Sequence, residues 1–175
     1  LYRRSLIQKS GARFVDLAEI GSYEDGFFNL EVFGKADRVV YLAAYLYHYR
    51  RDGSSSVTSG YNPRLYDQWQ TLYDRMEAII RSNQLGSEYE AALNNRIALG
   101  ILGLGLNITV STQPMGKKVK NIRRIIRQER YRKAYKNLPL NYFPIHWKLF
   151  YGCARHGFAF GVYVLLTVIQ RIISR

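Results

Sequence analysis

The stretch "GSYEDGFFNLEVF", Gly21 to Phe33, sets two adjacent carboxylates, Glu24 and Asp25, directly ahead of Phe27, Phe28 and Phe33. Apolar residues at helical spacing begin right after the acids, so the pair lies at the predicted start of a helix. Two chemistries fit. Acids in a first helical turn meet the positive end of the helix dipole and stabilise it. A carboxylate held rigidly at a helix start and facing a cleft also serves as a general base. Further along, Arg50 and Arg51 offer cationic donors. Ser54, Ser55 and Ser56 offer hydroxyls in the loop "RDGSSSVTSG", whose backbone N–H groups add to them. Such a loop suits a diphosphate, and equally a solvated turn.

The remaining reactive side chains are fewer. There are three histidines, His48, His146 and His156, and one cysteine, Cys153. His48 alternates with tyrosines and fits a hydrogen-bonded strand residue better than a metal ligand. His146 and His156 fall in an apolar, basic tail. Nothing resembles a nucleophile elbow, so no Ser–His–Asp arrangement is expected. A single cysteine rules out an intrachain disulfide and any zinc or iron–sulfur site built from several thiolates. No residue is assigned as a metal ligand.

The elements that must position these groups are predicted as follows. Residues 1–20 give a short helix and the brief extended piece "ARFVD". Ser22 caps a helix running to about Ala36, anchored by Phe27, Phe28 and Phe33. "DRVVYLAAYLYHYRR" is rich in β-branched and aromatic residues and predicts two strands, about 38–42 and 45–50. From Pro63 the pattern is helical, with Leu65, Trp69, Leu72, Met76 and Ile79–Ile80 spaced three and four apart. Gly86 breaks the chain and Ser87 recaps it. "KKVKNIRRIIRQERYRKAYKNL" predicts one basic amphipathic helix, with Val119, Ile122, Ile125 and Ile126 on one face. The tail from His146 predicts one or two further helices. Its longest uncharged apolar run, Gly157 to Ile169, is about 13 residues, short of a spanning helix.

Composition and charge sharpen this. The chain has 175 residues, 47% of them hydrophobic, too many for a disordered chain. Its net charge of +13 is one-sided. Leu1 to Thr112 carries 12 Lys and Arg against 12 acids, whereas Gln113 to Arg175 carries 14 against one, Glu129. Such asymmetry calls for an anionic partner. Basic residues there are interleaved with Trp147, Phe150, Phe158 and a Val162 to Ile173 run. That mix suits a membrane surface. No nucleic-acid fingerprint is present, so nucleic acid is not expected as a partner. The opening "LYRRSLIQKSG" has no methionine and no secretory pattern, and predicts a fragment or processed chain.

Taken in order, "LYRRSLI", "RFVD", "GSYEDGFF", "VVYLAAYLYHYR" and "GSSSVTS" resemble the second half of a bacterial family-2 glycosyltransferase catalytic domain, the inverting GT-A type. The resemblance covers about residues 1–80. It implies an α/β fold: the C-terminal half of a Rossmann-like GT-A domain with a β-hairpin, followed by a mainly helical basic tail. The implied domains are 1–60, the end of the catalytic domain; 61–112, a helical extension; and 113–175, a membrane-associating tail. Asp25 is then the catalytic base, with Glu24 beside the acceptor. Arg50 and Ser54 to Ser56 flank the donor diphosphate. The resemblance also implies a nucleotide-sugar donor and a saccharide or lipid-linked acceptor in cell-surface polysaccharide synthesis. It implies a divalent cation, Mg or Mn, held mainly by an N-terminal half. The D-x-D motif and the nucleotide-binding half of that family are not in this sequence, so the chain alone is expected to be inactive. The expected location is cytoplasmic, on the inner face of the cell membrane. The competing expectation is a non-enzymatic basic helical module that binds RNA or anionic membrane.

Overall fold

The structure is a computed structural model, and it describes residues 2–47 and 60–173. Among these residues the regular structure is helical throughout. The helices are α1 (Arg4–Ser10), α2 (Leu17–Ile20), α3 (Glu24–Phe33), α4 (Leu65–Ser82), α5 (Ser87–Thr109), α6 (Met115–Arg127), α7 (Glu129–Asn137), α8 (Ile145–Arg155) and α9 (Ala159–Ile173). One 3-10 turn, Leu140–Tyr142, precedes α8. The chain forms two compact units. One comprises Leu1–Gly60 and Asp67–Leu85, the other Tyr61–Tyr66 and Gly86–Arg175.

In the first unit, α1 stops at Gly11, whose φ of 69° few residues other than glycine adopt without strain. Asp16 opens α2 by accepting from the Ala18 N–H at 2.8 Å. α3 packs on α1. Phe28 and Val32 close over Ala12, Leu6 and Ile7. Phe14 stacks flat on Phe28 at 4.6 Å, and Tyr2 meets its edge at 5.7 Å. Phe33, expected to anchor α3, is instead 40% exposed beside Tyr2. α4 buries Trp69, Leu72, Tyr73, Met76 and Ile80, at the spacing the sequence predicts. It is tied to α2 and the turn after it: the Gln68 amide donates to the Ala18 carbonyl at 2.9 Å, the Trp69 indole to Ser22 Oγ at 3.1 Å, and Arg75 pairs with Glu19.

The α/β expectation is overturned. No strand or sheet exists among the described residues. The predicted strand 38–42 is not one: Val39, Val40, Tyr41 and Leu42 are all exposed, as are Tyr45, Leu46 and Tyr47. The predicted 45–50 strand passes out of the described residues after Tyr47. The physical reason is that β-branched and aromatic residues favour strands by fitting a pleated, half-buried surface, not by fixing the backbone alone. A ladder partner and a covered face are both needed. Among the described residues, 38–47 find neither, and the backbone bond formed within them is a local one, from the Ala44 N–H to the Leu42 carbonyl at 2.9 Å.

In the second unit, α5 packs on α6, α7 and α9, while α9 packs on α6 and α8 as well. α5 has the length and composition to cross a membrane. In this fold it is the core helix, burying Leu93, Ile97, Ile101, Leu104 and Ile108. Gly105 lets α9 approach: a Cβ there would stand 2.4 Å from a methyl of the fully buried Leu166. The Asn107 amide accepts from the Asn62 N–H and donates to the Asn62 carbonyl, both at 2.8 Å.

The single basic helix expected over 117–138 is two. Gln128 is extended, φ −61° and ψ 142°, between α6 and α7. The reason lies in the apolar spacing. α6 buries Ile122, Ile125 and Ile126, and α7 buries Tyr131, Ala134 and Tyr135. The step from 126 to 131 is five residues, about 140° around a straight helix. The break at Gln128 turns both rows inward. The tail likewise divides at Gly157, φ 73°. There the Phe158 N–H reaches the Cys153 carbonyl at 2.8 Å and the Gly157 N–H the Ala154 carbonyl at 3.0 Å. That pairing is a Schellman ending for α8.

Candidate active site

α3 begins differently from the sequence expectation. Ser22 does not cap it; its hydroxyl accepts from the Trp69 indole. The capping residue is Tyr23, in the left-handed region at φ 75° and ψ 26°. A residue with a Cβ adopts that region rarely, at about 1–2 kcal/mol. The Tyr23 ring folds over Gly26: a Cβ on Gly26 would stand 2.3 Å from two ring carbons. The Phe27 N–H meanwhile bonds the Tyr23 carbonyl at 2.9 Å. Tyr23, Gly26 and the buried Phe27 and Phe28 therefore clamp the turn that carries both acids.

Asp25 is exposed and Glu24 half-buried. Asp25 Oδ1 accepts from the Gly26 N–H at 2.6 Å, occupying one of the donors that a helix start leaves without a partner. An exposed carboxylate on a clamped turn can take a proton from a bound hydroxyl. Arg50, Ser54, Ser55 and Ser56 lie outside the described residues, as do His48 and Arg51. The structure thus places Glu24 and Asp25 together. Among the described residues, no group of three or more His, Cys, Asp or Glu side chains is placed to hold a metal ion. The sequence reasoning missed Tyr23 and Gly26. The available signal was a glycine inside the first helical turn, which weakens a helix by about 1 kcal/mol relative to alanine unless it has a packing reason.

The basic segment is partly rearranged too. The isoleucines of α6 face the bundle, and Lys117, Lys120, Arg123, Arg124 and Arg127 are exposed. Several residues expected to face lipid do not: Phe150, Val162 and Leu166 are buried. Trp147 is half-buried against Phe150 and Tyr151. Burial pushes the Tyr151 phenol up to about 12. Phe158, Phe160, Val164, Val168 and Ile172 do remain exposed.

The chain is similar to two proteins of Bacillus subtilis (strain 168). One is named as a glycosyltransferase, EpsH, at 31% identity over 124 residues, 70% of this chain and 36% of that protein. The other is named an uncharacterized glycosyltransferase, EpsJ, at 29% identity over 153 residues, 87% of this chain and 43% of that protein. No protein-family model matches the chain. No solved structure matches it. The chain is thus related to glycosyltransferases, and it spans about two fifths of the length of these relatives.

Proposed function

We propose that this chain is the C-terminal portion of an inverting family-2 glycosyltransferase. The complete enzyme moves a sugar from a nucleotide-sugar donor to a saccharide or lipid-linked acceptor in cell-surface polysaccharide synthesis. The observation that carries this reading is Asp25, exposed on the clamped first turn of α3, in a chain related to glycosyltransferases.

The reaction is a single displacement. The acceptor oxygen attacks the anomeric carbon as Asp25 takes the hydroxyl proton. The bond from that carbon to the diphosphate breaks, and its electron pair leaves with the diphosphate oxygen. Glu24 lies beside the acceptor. Arg50 and Ser54 to Ser56 meet the charge that develops on the leaving group. The described residues supply no group of three or more His, Cys, Asp or Glu side chains for the divalent cation that the resemblance implies. The complete protein works in the cytoplasm on the inner membrane face, where the segment with 14 cations and one acid meets anionic lipid.

The test is the stereochemistry of the product formed by the complete protein. Proton NMR of the new glycosidic linkage should show the anomeric configuration inverted relative to the donor. Retention of configuration would reject single displacement, and with it the role given to Asp25.

A further inference from the structure

The turn between α8 and α9 brings exposed aromatics and cations from three helices into one place. The Schellman ending at Gly157 reverses the chain and projects Phe158, which is 56% exposed, and Phe160, 47% exposed. Phe158 does not hang loose: its ring lies over Gly161, where a Cβ would stand 2.5 Å from it. Arg127, at the end of α6, has Nε 3.9 Å from the point that a Gly157 Cβ would occupy. Arg155, in the last turn of α8, donates to the carbonyl of Lys136 in the last turn of α7 at 2.6 Å. His156 is exposed on the same turn. No acid follows Glu129 in the sequence.

From this turn an apolar row runs outward along α9. Phe160, Val164, Val168 and Ile172 recur every fourth residue and are all exposed. They extend about 18 Å at the rise of an α-helix. The opposite face of α9 buries Val162 and Leu166. A helix on the surface of a soluble bundle ordinarily turns a polar face to water. α9 carries no charged residue before Arg171.

We propose that α9 lies in the plane of an anionic phospholipid bilayer. Phe158, Phe160 and the outward row enter the headgroup and acyl boundary, and Arg127, Lys136 and Arg155 meet lipid phosphates. The inference rests on the membrane location proposed above and names the face that makes the contact. Charge complementarity selects the bilayer: the cations gather at the turn where the row begins, and no acid interrupts the row. The aliphatic character of Val164, Val168 and Ile172 disfavours RNA, whose bases need flat rings to stack on. Exposed aromatics beside cations are what an interfacial helix presents.

The experiment is co-sedimentation of the full chain with phosphatidylcholine vesicles, with and without phosphatidylglycerol, across a salt series and against competing RNA. Binding should require phosphatidylglycerol at low salt. A salt-resistant part should persist at about 1 M salt, where the Debye length is about 3 Å. Phe158→Ser with Phe160→Ser should lower that part at least about tenfold. Phe158→Trp covers the case in which the double variant misfolds: its fluorescence should shift to the blue on binding and be quenched by brominated lipid. A double variant that folds and binds like wild type, or an unquenched Phe158→Trp chain that is nevertheless bound, overturns the α9 face and leaves the membrane location standing. No binding to anionic vesicles at low salt overturns the location itself. Complete displacement by RNA overturns both in favour of a nucleic-acid surface.

Discussion

Tyr23 stands in a left-handed conformation that costs about 1–2 kcal/mol, and its ring lies on the one residue beneath it that lacks a Cβ. The strain falls on the residue before Glu24 and Asp25, at the turn that carries both acids. The two acids were legible because their chemistry is in their side chains and the following phenylalanines have helical spacing. Tyr23 was not, because no periodicity encodes a positive φ. Tyr151 gives a prediction at this scale. Its buried phenol titrates at about 12 rather than the usual 10.0. The unfolded chain therefore loses this proton first as pH rises. The stability that the neutral phenol contributes is whole below about pH 10 and is lost as pH climbs through about 12. Denaturation midpoints measured over that window should fall more steeply for wild type than for Tyr151→Phe.

Between elements, α9 comes close to α5 at Gly105. Gly105→Ala would set a Cβ 2.4 Å from a methyl of the fully buried Leu166, so that side chain would have to shift within the packed core. Overpacking of this kind costs about 1–3 kcal/mol, against a gain in helix propensity of up to about 1 kcal/mol. Chemical denaturation should find the variant destabilised. Adding Leu166→Ala should give less than the sum of the two single effects, because the second change removes the clashing methyls. Which residues face the core of α4 and α6 was legible from three- and four-residue spacing. The split at Gln128 was legible in part, since the five-residue step from Ile126 to Tyr131 breaks that spacing. The strands were misread because Val39 to Tyr47 has strand composition without a described partner to pair with. Pairing is a property of two segments, and composition reports only one.

Over the whole molecule, charge and fold are divided unevenly. Neutral sequence runs to Thr112, and the entire +13 lies beyond it. That asymmetry was legible from counting alone. Where the apolar residues of the basic segment point was not, since Phe150 and Val162 are buried while Phe158 and Val164 are exposed. Only the packing of α8 and α9 separates them. The relatives are more than twice as long as the part this chain matches, so the proposed sugar transfer is assigned to the complete protein. The most direct test is made there, by measuring sugar transfer to the natural acceptor with Asp25→Asn. This change keeps the size and shape of the side chain and removes the proton acceptor. The rate should fall by about 10²–10⁴-fold while the fold, followed by circular dichroism, is unchanged. Transfer at the wild-type rate would contradict the assignment of Asp25 as the base.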